Sequence, residues 1–253
     1  MVRSEVKDLM TADLFDQLAA GGPIRMPVAI VVAHPDDETI GAGGTLARFL
    51  DLTLIHVTDG ASEDPVELRR LGFPTRESYI AARKQELDLA LTAACVSPTR
   101  RLCYGIPDRQ TTDRLDEIVG RLVVDFMSVD AVITHPYEGG HLDHDACARA
   151  CHLARSRLLE LTGRAPTCLE FSSYYHVDGY VRTGSFWPAP ESAELEITLA
   201  ASAARRRDLA FRCFTSQSGN MRYFSVLTEC FRRRPDYDFG QEPPPVHWAR
   251  GHR

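Results

Sequence analysis

Apolar runs of strand length alternate along most of the chain with longer stretches of amphipathic pattern. Residues 27–33 (Pro-Val-Ala-Ile-Val-Val-Ala) and 52–58 (Leu-Thr-Leu-Ile-His-Val-Thr) are near-continuous apolar runs, repeated at 131–134 and more weakly at 101–104. Short β-branched runs without polar alternation predict strands covered on both faces. Between them the spacing predicts helices near 43–50, 76–95 and 113–128. The second has Thr75 as N-cap, Glu77 in its first turn and Ile80, Leu87, Leu91 and Ala94 on one stripe. Residues 60–75, punctuated by Pro65, Gly72 and Pro74, cannot form one continuous helix and are predicted to be a loop over the strand ends. Residues 168–175 predict a further strand and 200–214 a further helix. The succession of βα units predicts an α/β fold on a mostly parallel sheet.

Composition narrows the class. The chain has 253 residues, enough for one sizeable domain, with a polar lead-in over 1–25 and an extended tail over 235–253 that contains Pro243-Pro244-Pro245. A net charge of −6 argues against a nucleic-acid surface. No apolar stretch has the length of a membrane span, and the charged first residues do not read as a secretory signal, so the expected compartment is the cytoplasm. The seven cysteines contain no C-x-x-C pair and predict reduced, mostly packed thiols, with Cys147 and Cys151 in the core. Arg205-Arg206-Arg207 and Arg232-Arg233-Arg234 are expected on solvated faces or at an interface. A homo-oligomer is compatible with the sequence.

The candidate chemistry lies where strands end. The 27–33 run leads directly into His34-Pro35-Asp36-Asp37-Glu38, and the 131–134 run into His135-Pro136-Tyr137-Glu138-Gly139-Gly140-His141-Leu142-Asp143-His144. Ligands of open parallel sheets bind at the carboxyl ends of strands. Catalytic zinc takes three ligands from imidazole and carboxylate groups and leaves a position for water. His34 and one of Asp36 or Asp37 can supply two of them, the other carboxylate then serving as base. If His144 is the third, His141 is free to face a developing oxyanion, and Asp143 could orient it and raise its pKa. Asp59, Tyr137 and Glu138 stand at strand ends as candidate substrate contacts. Glu38 reads as a supporting group, His56 as structural, Trp187 as a loop anchor, and Gly41 to Gly44 as close helix packing.

Ala-His-Pro-Asp-Asp-Glu at 33–38 and His-Leu-Asp-His at 141–144 together resemble the signatures of the LmbE/PIG-L family of zinc-dependent N-deacetylases. Weaker likenesses are the Thr58-Asp59-Gly60 strand end, Arg83-x-x-Glu86 and Ser216-Gln217. Family members often carry Pro where this chain has Leu142. The resemblance implies a Rossmann-like three-layer sandwich, a metal on His34, Asp37 and His144, Asp36 as general base and His141 as electrostatic partner or acid. It implies Zn2+, with Fe2+ as the alternative, and a small N-acylated amino sugar or glycoside as substrate, with neither nucleic acid nor membrane as partner. Two other readings compete: an amidase acting on a conjugate without an acetyl group, and a non-catalytic α/β domain that binds metal.

Overall fold

The apolar runs pair side by side. In a computed structural model that describes residues 13–244, 27–33 becomes strand β1 (Val28–Val32), buried throughout, and 52–58 becomes β2 (Leu52–Thr58). The weak run lengthens into β3 (Arg100–Ile106), 131–134 is β4 (Ala131–Thr134), and Thr167–Phe171 is β5. These five are parallel neighbours in the order β3-β2-β1-β4-β5. A hairpin, β6 (Tyr174–Val177) and β7 (Tyr180–Thr183), forms a separate two-stranded sheet, while β8 (Glu194–Thr198) and β9 (Thr228–Arg233) extend the main sheet antiparallel beyond β5. The ends of the expected lead-in and tail, before residue 13 and after 244, lie outside the described residues.

Helices cover both faces because successive residues of a strand point to opposite sides. Val28, Ile30 and Val32 of β1 join one apolar cluster with residues of α1 (Leu14–Ala20), α2 (Asp37–Ala42), α4 (Arg76–Ala93) and α7 (Ala201–Cys213). Ala29 and Val31 join the other with α5 (Leu115–Asp125) and α6 (Leu142–Thr162). Two more short helices complete the described set, α3 (Pro65–Arg70) and α8 (Ser218–Met221). The result is a three-layer α/β sandwich.

Several local expectations are corrected. No α-helix fills 43–50; the helix starts earlier, at Asp37, so the acidic motif itself forms its first turn, and only a 3-10 turn remains at Leu46–Arg48. The predicted strand over 168–175 breaks at Ser172-Ser173, and its halves belong to different sheets. Residues 60–75 contain a helix, α3, whose N-cap Asp64 accepts from the Val66 amide with Pro65 in the first turn. Two of the arginines expected on solvated faces or at an interface are buried inside the chain: Arg207 donates to the carbonyls of Ile40 and Thr228, and Arg232 to Glu138, Glu170 and the Trp187 carbonyl. Gly41 does mark close packing, since a Cβ there would overlap the Phe171 ring.

Candidate metal centre

Strand order runs away from β1 in both directions, towards β2 and towards β4, and the loops leaving β1 and β4 part at that point and open a crevice. The two strand ends are tied across it by the Ala33 amide, which donates to Nε2 of His135 at 3.0 Å. Here the chain turns sharply. Asp36 takes φ 141°, a strained value for a non-glycine residue that costs about 1–3 kcal/mol. The turn is held by the Glu38 carboxylate, which accepts from the Asp36 amide (3.0 Å), the Thr39 hydroxyl (2.5 Å) and Nε2 of His56 (3.1 Å). Arg83 of α4 braces it from the other side, reaching the Pro35 carbonyl at 2.5 Å and the Asp36 carboxylate at 3.3 Å. His56 is thus structural and Glu38 a support.

Asp37 is the hub of the donor set. Its Oδ2 lies 3.2 Å from His34 Nδ1 and its Oδ1 3.3 Å from His144 Nε2. Charge-assisted hydrogen bonds run shorter, at about 2.7–2.9 Å. Ligand atoms about 2.1 Å from a tetrahedral zinc stand roughly 3.4 Å apart, a spacing that these two contacts approach. His34 is oriented to match: its Nε2 is 3.0 Å from both Asp108 Oδ1 and Asp143 Oδ2, which in the neutral ring leaves Nδ1 as the lone-pair donor. Imidazole ligands characteristically give their other N–H to a carboxylate in this way. Burial opposes charge on His34, yet the hydrogen bonds that its ring donates to Asp108, Asp143 and Asp37 hold the pKa of the metal-free site well above the ordinary value.

His135 stands close enough to Asp37 and His144 to compete as a ligand. Its Nε2 lone pair, however, is taken by the Ala33 amide, and burial pushes its pKa down to about 4, so the ring is neutral. It serves instead as a platform, stacked on His144 with centroids 3.9 Å apart and planes within 10°.

Asp36 points into the same cavity without joining the donor contacts. Burial, opposed by Arg83, pushes its carboxyl up to about 7. His141 is the N-cap of α6, its Nδ1 accepting from the Asp143 amide at 3.2 Å, which in the neutral ring leaves the proton on Nε2. Burial and the neighbouring His34 and His144 push its pKa down to about 3. Asp143 was expected to orient His141, but its carboxylate is 3.9 Å from that ring. It is spent on His34, on the Arg109 amide (2.7 Å) and on the Thr111 hydroxyl (2.5 Å).

The cavity above these groups has a volume of about 690 Å³. Asp59, Tyr137 and Glu138, expected against substrate, do not line it. Asp59 binds Arg76 at 2.5 Å, Tyr137 donates to the Gln241 carbonyl at 2.8 Å, and Glu138 is buried on Arg232 at 2.7 Å. Each has a partner inside the protein that a strand-end position does not reveal. Asp108 was missed because the 101–104 run was read too short; with β3 ending at Ile106, Asp108 stands at a strand end like the others.

Residues 29–154 match the sequence profile of the PIG-L family, described as GlcNAc-PI de-N-acetylase. That segment belongs to the LmbE/PIG-L family. The chain is 30% identical over 129 residues to a probable N-acetyl-alpha-D-glucosaminyl L-malate deacetylase 2 of Bacillus subtilis (strain 168), covering 49% of this chain and 58% of that protein. A 1D-myo-inositol 2-acetamido-2-deoxy-alpha-D-glucopyranoside deacetylase 2 of Catenulispora acidiphila is 36% identical over 91 residues, 34% of this chain and 30% of that protein. The chain therefore spans little more than half the length of the B. subtilis relative. In fold it is similar to the A40926 pseudoaglycone deacetylase Dbv21, with TM-score 0.62 at 16% identity over 85% of this chain and 100% of the other. The LmbE/PIG-L segment contains both motifs and most of the groups described above, whereas the hairpin β6–β7 and α8 lie beyond it.

Proposed function

We propose that the chain, acting as one domain, is a zinc-dependent N-deacetylase that removes an acetyl group from an N-acetylated amino sugar or its glycoside. The observation that carries this reading is the Asp36 carboxylate standing in the cavity beside Asp37, which lies 3.2 Å from His34 Nδ1 and 3.3 Å from His144 Nε2. His34, Asp37 and His144 would hold a divalent cation, which would supply Lewis acidity towards water and an amide carbonyl.

The protein's own groups do the rest. Asp36 accepts the proton of the attacking water, a task for a carboxylate that faces the cavity without joining the donor contacts. Arg83 limits the rise of its pKa and holds its carboxylate in place. His141 donates from Nε2 to the amide oxygen as negative charge develops there, and it does so as a neutral ring, because a hydrogen-bond donor needs no net charge. Asp36 then returns its proton to the nitrogen as the C–N bond breaks, releasing acetate and the free amine. Asp108 and Asp143 hold His34 in the tautomer that presents Nδ1.

The test is acetate release by metal-defined protein from N-acetylated sugars, glycosides and aminoglycosides, with longer-chain and aryl amides alongside. Release of acetate with zinc supports the proposal. Hydrolysis confined to non-acetyl amides would replace it with the amidase reading, and firm zinc binding with no hydrolysis at all would leave a metal-binding domain.

A further inference from the structure

The two sides of the cavity differ in kind. One is charged, built from Asp36, Arg83, Asp108 and Arg109. The other is aromatic and apolar: Tyr174 stands edge-on to His144 with centroids 5.4 Å apart, Phe224 lies 6.2 Å beyond Tyr174, and Val181 and Tyr223 continue to the mouth. The track thus begins at a candidate metal ligand and ends in solvent, where Val181 is 49% exposed, Tyr223 55%, and the adjoining Tyr180 70%. The Thr183 hydroxyl donates to the Tyr223 carbonyl at 2.9 Å and joins the hairpin β6–β7 to the segment after α8 as one surface.

Several polar groups along this side are occupied with one another. Gln217 donates to the Tyr79 hydroxyl at 2.7 Å, Asn220 to Gln217 at 3.1 Å, and Arg222 to the Tyr223 hydroxyl at 2.9 Å. A second sugar ring would need hydrogen-bond partners that Val181 and Phe224 do not have, whereas a planar apolar group needs only surface. Room is available. Pockets of about 300–1,000 Å³ accommodate drug-sized ligands, so one amino sugar leaves much of this cavity free.

We infer that the track formed by Tyr174, Val181, Tyr223 and Phe224 is a subsite for an aromatic aglycone carried by the amino sugar. The inference rests on the deacetylase reading for its substrate, but its own observable is recognition of the aryl group. Burying a ring there at the expense of exposed apolar surface should tighten binding by about tenfold or more, acting through KM.

The test uses metal-replete protein, wild type and the variants Tyr223→Ala and Val181→Ser. It measures kcat/KM and calorimetric binding for N-acetylglucosamine, its phenyl and naphthyl glycosides and di-N-acetylchitobiose. The expected result is a preference for the aryl glycosides over the free sugar of about tenfold, reduced several-fold in each variant. Equal kcat/KM for aryl glycosides and free sugar, or a stronger preference for chitobiose, would overturn the subsite while leaving deacetylation standing. Aryl-glycoside binding that is weakened by both substitutions, with no acetate released from any compound, would retain the subsite and refute deacetylation. Neither binding nor turnover would remove both.

Discussion

Asp36 and Asp37 are adjacent carboxylates with different environments, and the difference is their backbone. The positive φ of Asp36 swings its side chain towards Arg83, while Asp37, in the first turn of α2, faces His34 and His144. Asp36→Asn should therefore lower kcat by about 10²–10⁴ and leave bound zinc unchanged by elemental analysis; loss of metal in proportion to activity would make Asp36 a ligand. Asp108 acts through His34. Asp108→Asn should weaken zinc about 10- to 100-fold in chelator competition, and an unchanged affinity would show that Asp143 alone suffices. The candidate ligands and base were legible because they cluster in two short motifs. Asp108 and His135 were not, since the role of each depends on a hydrogen bond to a residue more than seventy positions away.

At the level of elements, β1, β2 and β4 were read correctly because a strand covered on both faces has few polar positions to blur it. The break at Ser172-Ser173 was missed because the residues on either side are equally strand-like; partners decide it, β9 for the first half and β7 for the second. The start of α2 was hidden inside the acidic motif. That helix reaches the sheet closely only because residue 41 lacks a side chain. Gly41→Ala should displace the fully buried Phe171 ring, which packs against His135, and cost about 1–3 kcal/mol. A urea denaturation midpoint identical to that of the unsubstituted protein would mean that the ring yields without strain.

Across the whole molecule, buried carboxyls tie stability to pH. Glu138 and Glu170 share Arg232, and burial lifts them to about 8 and about 7; Asp145, which accepts from the amides of Glu138 and Gly139, is lifted by burial to about 7. In the unfolded chain such groups titrate near 4, so between there and neutrality the native state holds protons that the unfolded state has released. Stability from these groups is complete below the unfolded pKa values and is lost as pH rises through the folded ones. The neutral His135 and His141 pull in the other direction, but only below about 6.5, where an unfolded histidine takes up its proton. The denaturation midpoint of metal-free protein should accordingly fall from pH 6.5 to 8.5, by less in Glu138→Gln than in the parent chain. A midpoint that rises over this interval would contradict the assignment.

The sequence by itself determined the α/β class, the strands at the centre of the sheet and the two motifs that carry the chemistry, because apolar periodicity and clustered ligand residues are local properties of a chain. It could not determine which strand-end groups face the cavity. Asp59, Tyr137 and Glu138 share a position type with Asp36 and His141, yet they are drawn into the protein by Arg76, Gln241 and Arg232. Only tertiary structure decides that, since the choice between a cavity and a buried partner depends on side chains supplied by distant segments. The same holds for the aromatic side of the cavity, assembled from Tyr174, Val181, Tyr223 and Phe224, whose common surface exists only once the hairpin has folded against the segment that follows α8.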